Sequence, residues 1–280
     1  MKKLPVAVQV YGLRDLLEKT PENFESVMQQ VKDMGYDGVE LAGLYGLDPA
    51  YIRDTLKKIE LVPISAHVPF ADMVEDLDKV IDDYKTIGVQ YLVMPYMAEE
   101  YRPGVSREGF EKFLPLLNQV GEKIHAAGMT FLYHNHDFEF VKLDDGTWGY
   151  DKMFASIPHD HLQSELDTCW CDVATQDPVG FVKKYAGRLP VLHLKDYIKK
   201  GEVKNMYKLI GIDQEEDESE NKGYFGFRPV GFGQMIWQPI LEAAEQGGTK
   251  WYVVEQDEHY DTDPLECARM SREYLKILGI

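Results

Sequence analysis

Cysteine is scarce in this chain: three residues in 280, Cys169, Cys171 and Cys267. An odd trio cannot build a disulfide framework, and it suits a reducing compartment. The Cys169-x-Cys171 pair has no second pair to complete a thiolate metal site, so buried thiols are the expectation. Long apolar runs are missing too: no stretch approaches the roughly 18 residues of a membrane helix. Lys2 and Lys3 precede only a short alternating stretch that Arg14 and Asp15 end, with no small-residue cleavage site. That reads as a cytoplasmic address rather than an export signal. Positive charge is also in deficit, with 30 Lys and Arg against 48 Asp and Glu and a formal net charge of −18. Such a field repels nucleic acid and anionic membrane. It also disfavours a strongly anionic substrate unless a local cation or metal overrides it.

What is present is a rhythm. Short β-rich runs near Leu4–Val10, Gly38–Leu41, Leu61–His67, Tyr91–Pro95, Thr130–His134, Leu162–Asp167, Val191–Lys195 and Trp251–Glu255 alternate with helical patterns. Phe24, Val27, Met28 and Val31 recur at helical spacing, as do Phe110, Phe113, Leu114, Leu117, Val120 and Ile124. Helix starts carry a cap residue followed by proline, at Thr20-Pro21, Asp48-Pro49, Asp177-Pro178 and Asp263-Pro264. There the cap accepts a backbone N–H, and proline sacrifices no hydrogen bond. Eight strands with crossover helices predict an α/β fold, a single-domain (β/α)8 barrel over residues 1–280. An open doubly wound sheet is the alternative. One segment, 197–228, has no clean periodicity and carries an acidic run from Asp213 to Glu220. It reads as a solvated irregular loop after the seventh strand.

In a barrel, residues at the C-terminal strand ends share one mouth. Here His67 ends the third strand, and the fifth ends in Tyr133-His134-Asn135-His136-Asp137-Phe138-Glu139. Glu165 and Asp167 end the sixth, His193 and Lys195 the seventh, and Glu255 and Asp257 the eighth. The strand bodies are apolar, so polarity appears only as each strand ends. Carboxylates and imidazole converging from different strands suit one divalent metal, Mn²⁺, Co²⁺, Mg²⁺ or Zn²⁺. Asp167, His193 and Glu255 form the natural trio. Glu139 is the best fourth ligand, with His134 or His136 able to take its place.

The run Tyr133-His134-Asn135-His136-Asp137-Phe138-Glu139-Phe140 resembles a signature of the xylose isomerase-like barrel superfamily, in its sugar phosphate isomerase/epimerase branch. Gln9-Val10-Tyr11-Gly12-Leu13-Arg14-Asp15, Leu166-Asp167-Thr168-Cys169-Trp170, His193-Leu194-Lys195-Asp196, Pro229-Val230-Gly231-Phe232-Gly233 and Val254-Glu255-Gln256-Asp257 support it across the whole chain. The resemblance implies metal ligation by Glu139, Asp167, His193 and Glu255, and substrate contacts at His67, His136, Lys195 and Arg228. Phe232 and Ile236 depart from the usual pattern of the branch.

His136, Glu165 and His67 are the candidate proton carriers, and His134, Lys195, Arg228 and Trp170 the candidate substrate contacts. The glycines at 231 and 233 resemble a phosphate-cradling turn only loosely. The expected activity is metal-assisted isomerisation or epimerisation of a small sugar or keto-sugar through an enediolate. Dehydration of a polyol or inosose-type substrate is the alternative. The implied partner is a small carbohydrate, with no nucleic acid and no membrane, and a homo-oligomer is compatible with the sequence.

Overall fold

Eight parallel strands close into a ring. They are β1 (Val6–Gln9), β2 (Gly38–Ala42), β3 (Val62–His67), β4 (Tyr91–Met94), β5 (Thr130–His134), β6 (Gln163–Asp167), β7 (Val191–Leu194) and β10 (Trp251–Val254). Around the barrel they run β1-β10-β7-β6-β5-β4-β3-β2, so β3 and β7 face each other across it. The computed structural model describes residues 4–17, 21–203, 206 and 223–280. Each expected strand is a barrel strand, with no end shifted by more than two residues.

The period of two along a strand explains where the site lies. Ala7, Ile64, Tyr91, Val93, Leu132, Val191 and Val253 form an apolar cluster of their own, the plug inside the barrel. Residues two apart on a strand share a face. Two steps beyond Ala7, Leu132, Val191 and Val253 stand Gln9, His134, His193 and Glu255, all buried. Polar groups therefore lie directly on the plug, at the C-terminal end, where barrel sites form.

Helices cover the outside through one apolar face each. Phe24, Val27, Met28 and Val31 are the buried residues of the helix Phe24–Asp33. The helix Arg107–Ala126 buries the six hydrophobic residues expected of it, together with Gly121. Asp48 accepts from the amides of Ala50 and Tyr51, Asp177 from Gly180, and Asp263 from Leu265 and Glu266, each followed by proline. Thr20 lies outside the described residues. Cys169, Cys171 and Cys267 are buried and free. Among the described residues no helix is long and apolar enough to cross a membrane.

The segment 197–228 is not wholly irregular. Its ends form an antiparallel ribbon of β8 (Asp196–Lys200) and β9 (Tyr224–Arg228), with Asp196 opposite Arg228 and Lys200 opposite Tyr224. Each run is only five residues long, too short for its alternation to stand out, and the pairing is with a distant segment. Packing stabilises the ribbon: Phe225 stacks on Tyr197 and on Trp170, and Phe227 is fully buried. The acidic run 213–220 lies outside the described residues.

Candidate active site

A cavity of about 420 Å³ opens over the plug, lined by residues that include Tyr11, His67, Tyr96, His134, His136, Lys195, Glu255 and Asp257. That volume falls in the ordinary range for small-molecule sites. Most of these residues sit at the ends of strands, so the rigid barrel, not a loop, sets their positions.

Beneath the cavity five buried carboxylates, Glu40, Glu165, Asp167, Glu255 and Asp257, meet three buried imidazoles and one buried ammonium. His134 Nε2 lies 3.8 Å from both Asp167 Oδ2 and Glu255 Oε2. His193 Nδ1 lies 2.8 Å from Glu255 Oε2. Ligand atoms of these four residues all fall within 4.8 Å of one another, as they do for His67, His134, Glu165 and His193. On the far side of the rings, Glu165 Oε2 is 2.7 Å from His67 Nε2 and 3.2 Å from His134 Nδ1. His193 Nε2 approaches Glu40 Oε1 (2.7 Å) and Glu165 Oε2 (3.1 Å), off its N–H axis, so that neither closes a hydrogen bond. Lys195 Nζ is 2.9 Å from Asp257, 3.0 Å from Glu255 and 3.4 Å from Asp167.

The charges do not balance. One ammonium cannot neutralise five carboxylates, and burial makes the remainder expensive. Burial pushes Asp167 up to about 6 and Asp257 up to about 7, with Lys195 pulling against it in both. For His193 and His67 burial favours the neutral ring, but the carboxylates around them outweigh it and raise both. His134, buried beside His193, drops to about 3. Burial works against the Lys195 charge, yet Asp257, Glu255 and Asp167 more than offset it, so the side chain stays an ammonium.

The donor set fits a divalent cation. It is a mixed oxygen and nitrogen set from four strands, the surplus charge is negative, and Asp167 Oδ2 is buried without a hydrogen bond. The expected trio of Asp167, His193 and Glu255 is thus brought together, with His134 in the fourth position.

Three expected placements differ. Glu139 is not part of the cluster: its carboxylate accepts from the Tyr133 hydroxyl and the His136 amide, because the chain turns after β5 and carries it under the strand end. Arg228 is outside the cavity lining; its guanidinium donates to Phe227 O and the Tyr224 hydroxyl on the ribbon. Trp170 is fully buried behind His136, between that ring and Phe225, and does not line the cavity. Glu165, a candidate proton carrier, pairs with the imidazoles of His67 and His134.

Sequence reasoning passed over Glu40 and left Asp257 without a role. Glu40 had a signal, a carboxylate inside the apolar run Gly38-Val39-Glu40-Leu41-Ala42, and Gln9 Nε2 donates to it at 2.7 Å. The glycine turn at 231–233 is a filled cradle: the Asp196 carboxylate accepts from the amides of Gly231, Gly233 and Met235 and from Trp237 Nε1. A Cβ at Gly233 would lie 2.1 Å from Asp196 Oδ1, which explains glycine there.

A family model described as xylose isomerase-like TIM barrel matches residues 28–278. An inosose dehydratase of Lacticaseibacillus casei is 21% identical over 281 residues, covering 90% of this chain and 88% of that protein. A sugar phosphate isomerase/epimerase from Parabacteroides distasonis ATCC 8503 superposes with a TM-score of 0.76 at 20% identity, over 99% of this chain and 94% of that one. The structure of IOLI protein with a binding zinc atom superposes with a TM-score of 0.70 at 15% identity, over 98% of each chain.

Proposed function

The chain belongs to the xylose isomerase-like TIM barrel family, and from that premise we propose that it is a metal-dependent lyase, one that removes water from an unphosphorylated keto-sugar or cyclic ketopolyol. The observation that carries the reading is the asymmetry of the cavity. An imidazole, His67, stands on β3, and an ammonium, Lys195, stands opposite at the end of β7.

His134, Asp167, His193 and Glu255 would hold the cation. When bound, it supplies Lewis-acid polarisation of a carbonyl and so acidifies the neighbouring C–H. His67 Nε2 is engaged by Glu165, and its Nδ1 has no protein partner among the described residues. That nitrogen takes the proton at the carbon beside the carbonyl. Lys195 donates a proton to the hydroxyl on the next carbon, which leaves as water while the C–H electrons become the new C=C bond. Epimerisation would use a donor on the opposite face to return a proton to the same carbon; elimination uses it to protonate the leaving hydroxyl, and a base facing an acid supplies both groups that elimination needs. The sequence alone ranked isomerisation or epimerisation first, and this pair together with the inosose dehydratase relative favours reversing that order. The inosose dehydratase relative and the zinc-bearing IOLI structure support the substrate class and the metal.

Among the described residues no phosphate seat is formed. The amide turn that resembled one is taken by Asp196, and Lys195 is surrounded by carboxylates.

The test is elemental analysis of the purified protein, followed by an ultraviolet assay for enone formation from ketopolyols and 3-keto-sugars. Expected are about one divalent ion per chain, turnover abolished by chelation and restored by metal, and loss of turnover in Lys195→Met. Protein without metal that is inactive on every keto-substrate would sink the proposal. Interconversion of epimers without enone would return the assignment to an epimerase.

A further inference from the structure

Glu165 is one of three fully buried carboxylates of the site, with Glu40 and Asp167, and its geometry differs from that of a group that meets substrate. It is fully buried and does not line the cavity. Its Oε2 faces the backs of three rings at once, at 2.7 Å from His67, 3.1 Å from His193 and 3.2 Å from His134. The two candidate ligand rings turn opposite nitrogens to it. His134 shows it Nδ1 and presents Nε2 to Asp167 and Glu255. His193 shows it Nε2 and presents Nδ1 to Glu255.

A neutral imidazole carries one N–H, and the nitrogen without it is the one that can ligate. An acceptor behind the ring therefore selects which nitrogen faces forward, and partners of this kind affect both orientation and metal affinity. Resting on the metal site proposed above, we infer that Glu165 is a positioning residue, not a proton carrier. One carboxylate fixes Nδ1–H in the ligand ring His134 and Nε2–H in His67, which leaves His134 Nε2 facing Asp167 and Glu255. Glu40 assists on one side only, since its contacts are with His193 and His67.

The experiment measures metal affinity and tautomer, not turnover. Zn²⁺ and Mn²⁺ affinities are obtained by chelator competition for the wild type, Glu165→Gln, Glu165→Asp and Glu40→Gln, with folding followed by circular dichroism. Glu165→Gln is expected to weaken binding roughly 10- to 100-fold, as for other outer partners of metal ligands. Gln keeps the shape but loses the negative charge, so it is a weaker acceptor for the ring N–H groups. Glu165→Asp should fall between, and Glu40→Gln should lose less because it supports one ligand ring. Independently, nitrogen-15 spectra of the zinc-loaded wild type should show His134 protonated at Nδ1 and His67 at Nε2.

Unchanged affinity in a folded Glu165→Gln, or His134 protonated at Nε2 instead of Nδ1, overturns the inference. Should Glu165→Gln fail to fold, the wild-type spectra still decide. A wild type that binds no metal removes the functional proposal, and this one with it. A wild type that binds while the variant binds equally removes only this one.

Discussion

Replacing Asp196 with alanine tests the claim that the glycine turn is filled from within. The carboxylate is fully buried and accepts from five donors: the amides of Tyr197, Gly231, Gly233 and Met235, at 2.9 to 3.2 Å, and Trp237 Nε1 at 3.1 Å. The Met235 and Trp237 donors are wholly buried, and a buried donor left without a partner costs about 1–3 kcal/mol. The glycine amides, partly exposed, add less. A loss near 5 kcal/mol results, a large share of the roughly 5–15 kcal/mol that holds a domain folded. With melting shifts of about 2–4 °C per kcal/mol for chains of this size class, the melting temperature should fall by about 10 °C or more. Differential scanning fluorimetry reads this directly. The cradle should also accept a replacement anion: sodium formate should recover part of the loss in Asp196→Ala, while sodium chloride at equal ionic strength should not. A variant that melts within about 2 °C of the parent, or one indifferent to formate, refutes the reasoning and reopens the turn as a phosphate seat.

Glu139 should shape the pH dependence of stability. Burial pushes its carboxyl up to about 8, with the Tyr133 hydroxyl and the His136 amide pulling the other way. The unfolded chain releases this proton near 4.5 and the folded chain only near 8, so its contribution is full below 4.5 and is lost as pH rises through that window. Glu139→Gln should flatten the urea-midpoint profile between those limits by a few kcal/mol; an unchanged slope contradicts the burial argument. Gly121 faces the carbonyl oxygen of His161 so closely that an added Cβ would lie 1.8 Å from it. Gly121→Ala should therefore destabilise by at least about 2 kcal/mol despite the helix propensity it gains, and a neutral or stabilising result in thermal melts would count against the packing described. Asp48→Ala and Asp263→Ala each remove a cap that accepts two amides. Losses of about 1 kcal/mol apiece in chemical denaturation, additive in the double variant, are expected.

The barrel was legible because its signals are local. Apolar runs of four to six residues, alternating with helices whose apolar faces repeat at 3.6, need no knowledge of distant contacts. The Asp-Pro caps are equally local, and those at 48, 177 and 263 hold as expected. Polarity at strand ends marked the candidate site for the same reason: alternate residues share a face, which sets His193 and Glu255 two steps past the plug residues Val191 and Val253. Asp167 and Lys195 stood out as charged groups at the ends of apolar strands, so all four could be named before any coordinates.

Three-dimensional closure decided the rest. Whether a carboxylate beyond a strand end turns into the mouth depends on the loop's path, which sent Glu139 to Tyr133 and left His134 grouped with Asp167, His193 and Glu255. The β8–β9 ribbon required pairing between segments more than twenty residues apart, which no short window registers. Which groups pair in a crowded, charge-rich pocket depends on distances of a few ångströms between strands, since in a low dielectric the nearest partner dominates. Spacing along the chain fixes which face a residue takes. Only the closed barrel sets which imidazole meets which carboxylate, and that is why Glu165 lies behind the histidines.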